Sequence, residues 1–71
     1  MSWKYQIMRR KVGKEYVYGI YEVFSSPKGW TEECVGPQGE TLEELRRDYE
    51  AMGEAFRLPV LDHKTGRRVK P

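Results

Sequence analysis

The chain has 71 residues, one cysteine and a formal net charge of +2. A single cysteine excludes an internal disulfide and a zinc site built from several cysteines, and so small a net charge does not indicate a nucleic-acid partner. No apolar run reaches the ~18 residues of a membrane helix and no signal-peptide core is recognisable, so we expect a soluble cytoplasmic protein. Cys34 is expected to be a small buried apolar residue.

Three segments have the features of β-strands. Apolar and polar residues alternate over Trp3–Arg10, Glu15–Phe24 is rich in Tyr, Val and Ile, and Trp30–Val35 forms a shorter third strand. Polar loops that contain glycine, Lys11–Lys14 and Ser25–Gly29, separate these segments. The sequence therefore predicts a three-stranded antiparallel meander.

One pairing register gathers most of the aromatic side chains on a single face of this sheet. In that register Arg10 pairs with Glu15, and Phe24 pairs with Trp30. The resulting aromatic face consists of Trp3, Tyr5, Ile7, Tyr16, Tyr18, Ile20, Phe24, Trp30 and Cys34. The opposite side, the second face, carries a narrow apolar stripe formed by Met8, Val17, Tyr21, Val23 and Val35.

One helix is expected after the third strand. Thr41 and Glu44 have the spacing of a capping box, and Pro59 ends the helix near Arg57. The apolar residues recur at steps of three and four and form the helix stripe, which consists of Leu42, Leu45, Tyr49, Met52 and Phe56. We expect this stripe to pack on the aromatic face, so that Leu45→Ala costs about 2–5 kcal/mol and Thr41→Ala only ~1 kcal/mol.

These elements predict an α+β fold of the order β-β-β-α, with one helix packed on one face of the meander. Residues 1–62 form a single small domain. Residues 63–71 are expected to be a basic, flexible C-terminal tail in which His63 is solvated. The second face then has no cover of its own, because one helix covers only one face of a sheet.

The order of several short motifs resembles a group of short uncharacterised bacterial proteins. The motifs are Tyr5-Gln6-Ile7, Tyr18-Gly19-Ile20-Tyr21-Glu22-Val23, Gly29-Trp30-Thr31-Glu32, Gly39-Glu40-Thr41-Leu42-Glu43-Glu44-Leu45, Ala51-Met52 and Leu58-Pro59-Val60-Leu61. This resemblance covers residues 3–62 and implies a bacterial origin without an activity. Gly39–Glu44 alone also resembles the helix start in the partial fold of HicB-type antitoxins, which implies an antitoxin-like regulatory role.

Two groups of charged residues are candidate sites. Glu22 and Glu32 face each other in the predicted register, either as a carboxylate pair for a metal or acid–base chemistry or as two glutamates that reach solvent. The tail cations are either phosphate contacts or a solvated charge run, and they are Lys64, Arg67, Arg68 and Lys70. No phosphate loop, metal motif or catalytic triad is recognisable, so we expect no enzyme activity, no metal and no cofactor.

The favoured interpretation is a small binding or accessory module that acts through protein–protein contacts as a homodimer. Its interface is expected on the uncovered second face, at Met8, Val17, Tyr21, Val23 and Val35. On this hypothesis Tyr21→Glu weakens association and leaves the fold intact. The alternative is a nucleic-acid-binding or antitoxin-like regulatory protein that uses the tail cations.

Overall fold

The computed structural model describes residues 2–70, so Met1 and Pro71 lie outside the described part of the predicted domain and tail. Within residues 2–70 the elements are strands β1 (Trp3–Val12), β2 (Glu15–Ser25) and β3 (Lys28–Trp30), helix α1 (Leu42–Gly53), a 3-10 turn (Glu54–Arg57) and strand β4 (Leu61–Asp62). The strand order in the sheet is β3-β2-β1-β4. The α+β class is confirmed, and the predicted meander is part of a mixed sheet because β4 pairs with β1 in parallel.

The turn of the first hairpin consists of two residues instead of the predicted four. Gly13 has a φ of 64° at the first of the two turn positions, as a type II′ turn requires, and Val12 therefore pairs with Glu15. The predicted pairing of Arg10 with Glu15 is wrong by two residues. A shift of two preserves the side-chain faces, so Ile7 remains on the aromatic face.

The second hairpin is shifted by one residue, which exchanges the faces of its last strand. The turn between the paired residues holds only Ser26 and Pro27, so Val23 pairs with Trp30. The predicted pairing of Phe24 with Trp30 is wrong. Because a shift of one moves a side chain to the other side of a sheet, Trp30 lies on the second face.

Cys34 also lies on the second face and is exposed, so its predicted burial is wrong. It packs against Gly19, where an added Cβ would lie 2.9 Å from the cysteine Cβ. Strand β3 ends at Trp30 rather than at Val35. The chain nevertheless stays beside β2, since the N–H of Val35 donates to the carbonyl of Ile20 over 2.8 Å.

The predicted flexible tail is instead folded onto the second face as a C-terminal hairpin, residues 60–69. The N–H of Asp62 donates to the carbonyl of Arg67 over 2.8 Å. The ring of His63 lies 5.0 Å from the ring of Tyr21, measured between centroids. His63 is therefore half-buried against the sheet rather than solvated.

Two further contacts join the sheet to the end of the chain. Gly66 has a φ of 74°, and a Cβ added there would lie 2.5 Å from the ring of Trp30, so the hairpin approaches this ring as closely as glycine allows. The side-chain amide of Gln6 donates to the carbonyl of Pro59 over 2.8 Å. These contacts hold residues 60–69 on the sheet despite their basic, polar composition.

The buried core is divided between the two sides of the sheet. Its apolar side chains among the described residues are Ile7, Met8, Tyr21, Met52 and Ala55. Ile7 belongs to the aromatic face, whereas Met8 and Tyr21 lie on the second face, where the C-terminal hairpin packs. Each face of the sheet therefore has a cover of its own, and both covers come from the chain after β3.

Helix α1 begins as predicted. The hydroxyl of Thr41 accepts a hydrogen bond from the N–H of Glu44 over 3.1 Å. The carboxylate of Glu44 accepts in turn from the N–H of Glu40 over 3.0 Å. Two backbone donors that the helix itself cannot satisfy are thus bonded by side chains.

The sheet contacts only one edge of the helix stripe. Met52 is 4% exposed and Leu45 is 37% exposed, whereas Tyr49 is 68% exposed. The predicted packing of Leu45 and Tyr49 in the centre of the contact is therefore wrong, since α1 is rotated about its axis. The large loss of stability that the sequence predicted for Leu45→Ala is therefore expected for Met52→Ala instead.

We expect Met52→Ala to lower the free energy of unfolding by about 2–4 kcal/mol, because it opens a cavity at a buried position of α1. Leu42→Ala is the matched control: it removes a large apolar side chain from the same helix at a position that is 73% exposed. Its cost should stay within about 0.5 kcal/mol. Urea unfolding followed by circular dichroism measures both at a protein concentration low enough to exclude association of copies, and equal costs would contradict the observed rotation of α1.

Candidate interaction surface

An exposed apolar line runs along a side of α1 that does not pack on the sheet. The exposed fractions are 73% for Leu42, 68% for Tyr49 and 74% for Phe56. These three residues, the outer stripe, recur at heptad spacing and extend from the first turn of α1 into the 3-10 turn. Contiguous exposed apolar side chains are typical of sites of association.

Asp48 determines which side of α1 meets the sheet. Its Oδ1 accepts a hydrogen bond from the hydroxyl of Tyr5 over 2.9 Å, and its Oδ2 accepts one from the N–H of Gln38 over 2.8 Å. One carboxylate thus joins β1, the segment that precedes the helix, and the helix itself. Successive helical residues are rotated by ~100°, so holding Asp48 against the sheet turns Tyr49 towards solvent.

The same contact changes the acidity of Tyr5. The pKa of its phenol is raised from 10.0 to about 12, mainly by burial and further by the hydrogen bond to Asp48 and the negative charge of that residue. Ionised Tyr5 would lose the proton it donates and would place a second negative charge beside Asp48. The phenol therefore stays protonated in the folded chain well above its ordinary range.

The partner surface predicted on the second face is not open. Met8 is 0% and Tyr21 4% exposed, because the C-terminal hairpin and β4 pack there. Val23 and Val35 are half-buried, and Val17 is exposed near the far end of the first hairpin. These residues do not form one accessible stripe, and Tyr21→Glu would place a charge in the core instead of at an interface.

Glu22 and Glu32 are not opposite each other. The shifted register places Thr31 beside Glu22: the Thr31 N–H donates to the Glu22 carbonyl over 3.0 Å, and the Glu22 N–H donates to the Thr31 hydroxyl over 3.2 Å. Glu32 instead forms an exposed ion pair with Arg10 at 3.7 Å. The predicted carboxylate pair is therefore not assembled, and residues 2–70 contain no cluster of three or more potential metal ligands.

The predicted phosphate contacts, the hairpin cations, lie on the C-terminal hairpin or, for Lys70, directly after it. All four are exposed and form no ion pair within residues 2–70; they are Lys64, Arg67, Arg68 and Lys70. Asp62 anchors this hairpin. Its carboxylate accepts from the N–H of Lys64 over 2.9 Å and pairs with Arg9 at 3.2 Å. The bond from Lys64, assisted by Arg9, lowers the pKa of the Asp62 carboxyl despite its partial burial.

Neither Asp48 nor Asp62 was singled out from the sequence. Asp62 had a usable signal, because an aspartate that precedes a glycine-containing polar segment commonly binds the backbone N–H two residues later and starts a turn. Asp48 had no comparable signal. An acidic residue beside an apolar helix stripe is usually solvated, and its two donors come from distant or irregular parts of the chain.

Comparison with known proteins does not test the resemblance to short bacterial proteins and to HicB-type antitoxins, which therefore stays a prediction. No protein-family model, no curated protein and no solved structure matches the chain. Among the described residues, no helix combines the length and apolar character needed to cross a bilayer. The functional argument therefore rests on the surfaces of the molecule itself.

The raised pKa of Tyr5 makes stability depend on alkaline pH. Because the folded chain holds this proton more tightly than the unfolded chain does, the contribution is complete below about pH 10 and is lost as pH rises from about 10 to 12. Tyr5→Phe should abolish this alkaline loss of stability, as measured by urea unfolding at a series of pH values. It should also remove the titration step of Tyr5 near pH 12 from the tyrosine absorbance. Tyr18→Phe, at a position 51% exposed, is the control and should leave both features. An unchanged titration in Tyr5→Phe would contradict the Asp48 contact.

Proposed function

We propose that the protein is a small binding or accessory module that acts through protein–protein contacts, and that it forms a homodimer through the outer stripe. The observation that carries this proposal is the exposure of Leu42, Tyr49 and Phe56 on an otherwise well-capped helix. The role matches the sequence-based interpretation. The contact surface differs, because it lies on the helix and not on the second face.

The exposed area of the chain supports association. The accessible surface is 5722 Å², whereas the scaling for folded monomers gives about 4,600 Å² for a mass of 8.4 kDa. The excess of about 1,100 Å² is comparable to the ~800 Å² that each partner of a typical stable complex buries. Self-association is thus one way for this chain to reach the burial that compact proteins of its size achieve.

The outer stripe is complementary to itself. In an antiparallel pair centred on Tyr49, Leu42 of one copy lies opposite Phe56 of the other, so a smaller side chain meets a larger one at both ends. The acidic first turn of α1, which contains Glu43, then lies near Arg57 of the second copy. The two helix dipoles also run in opposite directions. These features favour a second copy of this chain as the partner that binds to the outer stripe.

The test is sedimentation equilibrium of the whole chain at micromolar to high micromolar concentration. We expect a dimer, and we expect Tyr49→Glu to raise its dissociation constant at least roughly tenfold, because the interface would bury an unpaired charge. Tyr18→Glu makes the same chemical change at an exposed position of β2 and should leave the dimer unchanged. A monomeric wild-type chain, or equal effects of the two variants, would reject the outer stripe as the interface.

A second candidate function is nucleic-acid binding, and one observation favours it. The cations of the C-terminal hairpin are exposed and unpaired within residues 2–70, whereas Arg9 and Arg10 are held in ion pairs. The hairpin is ordered, so its cations are displayed on a fixed surface without the ordering cost that a flexible tail would have. The antitoxin-like role implied by the sequence resemblance belongs to this alternative.

Titration with single-stranded and duplex oligonucleotides at low and moderate salt tests this alternative. Replacing all four hairpin cations by glutamine should reduce the slope of log K against log salt by about 0.9 for each duplex phosphate that these side chains neutralise in the wild-type complex. Replacing Lys11 and Lys14 at the first turn is the control. Truncation of the hairpin is unsuitable, because Gly66 packs on Trp30. Absence of binding at low salt would eliminate this function.

A further inference from the structure

A cleft of about 350 Å³ opens on the second face beside the C-terminal hairpin. Val23 and Trp30 line it from neighbouring strands, and Leu61 and Gly66 line it from β4 and the C-terminal hairpin. The exposed surface inside it is mostly apolar. The volume is at the lower end of the range for small-molecule sites, roughly 300–1,000 Å³, and suits a ligand with one or two rings.

Two lysines border this apolar surface. Lys4 pairs with Val23, and Val23 pairs with Trp30, so the three side chains stand in one row across the sheet with neighbouring Cβ atoms about 5 Å apart. Lys28 precedes Trp30 by two residues and projects from the same face of β3. Both lysines line the cleft, and neither forms an ion pair within residues 2–70.

Gln6 adds a hydrogen-bond acceptor to the cleft. The residue is 4% exposed and lines the cleft. Its Nε2 donates to the carbonyl of Pro59, and this bond fixes the orientation of the amide. The Oε1 atom accepts no hydrogen bond within residues 2–70. Every fully buried side-chain oxygen in these residues has a hydrogen-bond partner, so Oε1 is not fully buried. The Oε1 therefore reaches open space, which on this side of Gln6 is the cleft.

We propose that this cleft is a binding site for a small aromatic anion, a carboxylate or a phosphate monoester, that also carries a hydrogen-bond donor. The ring lies against Val23 and Trp30, where apolar and aromatic surface is exposed. The anionic group is held by the ammonium groups of Lys4 and Lys28, and the donor bonds to the Oε1 of Gln6. Neither dimerisation nor nucleic-acid binding requires this site, so its test is independent of theirs.

The experiment is a titration of the full chain, labelled with ¹⁵N, followed by NMR. Trp30 lines the cleft, so its indole N–H signal reports binding directly, whereas the ring of Trp3 packs on Tyr5 on the aromatic face and its indole signal is an internal control. The carboxylate probe is 4-hydroxybenzoate and the phosphate probe is 4-hydroxyphenyl phosphate. We expect a saturable shift of the Trp30 indole signal with at least one of them, with a dissociation constant roughly in the millimolar range or below.

Matched compounds and variants separate the three parts of the site. 4-Hydroxybenzamide lacks the anion and benzoate lacks the donor, so each should bind more weakly than 4-hydroxybenzoate. The double variant Lys4→Gln, Lys28→Gln should weaken binding of the anionic probes roughly two- to tenfold. The control Lys11→Gln, Lys14→Gln removes the same charge at the first turn and should leave the affinity unchanged.

Two results would overturn the proposal. One is the absence of a saturable shift of the Trp30 indole signal with both anionic probes up to high millimolar concentration. The other is equal weakening by the cleft double variant and the control double variant, which would indicate a general charge effect and not a site. Circular dichroism of each variant verifies the fold, and both cleft lysines are exposed, so their replacement should leave it intact.

Discussion

The structure depends on covering two faces of one small sheet with very little chain. Helix α1 and the turn after it cover part of the aromatic face, and the C-terminal hairpin covers the second face. Two of the five buried apolar side chains, Met8 and Tyr21, lie on the second face. Without the hairpin this part of the core would be open to water, and a chain of this size has little other burial to replace it. The C-terminal hairpin is therefore a structural element.

The rotation of α1 reflects a balance between polar and apolar contacts. A hydrogen bond to a charged group contributes about 1.5–3 kcal/mol, and Asp48 accepts two, from Tyr5 and Gln38. Full burial of a side chain such as Leu42 contributes a similar amount, about 1.5–3 kcal/mol. Two such bonds are thus strong enough to hold a rotation that burial alone would not select. Association through the proposed interface at the outer stripe would recover the missing burial and would leave both bonds of Asp48 in place.

Local patterns in the sequence predicted the first two strands and the start of α1, but not the bounds of β3, the C-terminal hairpin or the arrangement of the elements. The capping residues Thr41 and Glu44 located the start of α1, because a cap is formed by neighbours in the chain. Register failed because it depends on turn length: a two-residue turn at Gly13 left the faces intact, whereas the shift in the next hairpin moved Trp30 to the other face. Helix rotation depends on Asp48, whose partners are not recognisable from spacing.

The error at Trp30 also hid the cleft, because the predicted register placed this ring under α1. On the second face, Trp30 instead meets Gly66 of the C-terminal hairpin, and the same hairpin supplies a wall of the cleft. A ligand in the cleft would contact only the chain in which this hairpin is docked, so its binding would stabilise the docked state by mass action. The outer stripe belongs to the helix that contacts the aromatic face, and no residue of it lines the cleft. Occupation of the cleft should therefore be coupled to the order of the hairpin and only weakly to self-association, because ligand and partner would approach from opposite sides of the sheet.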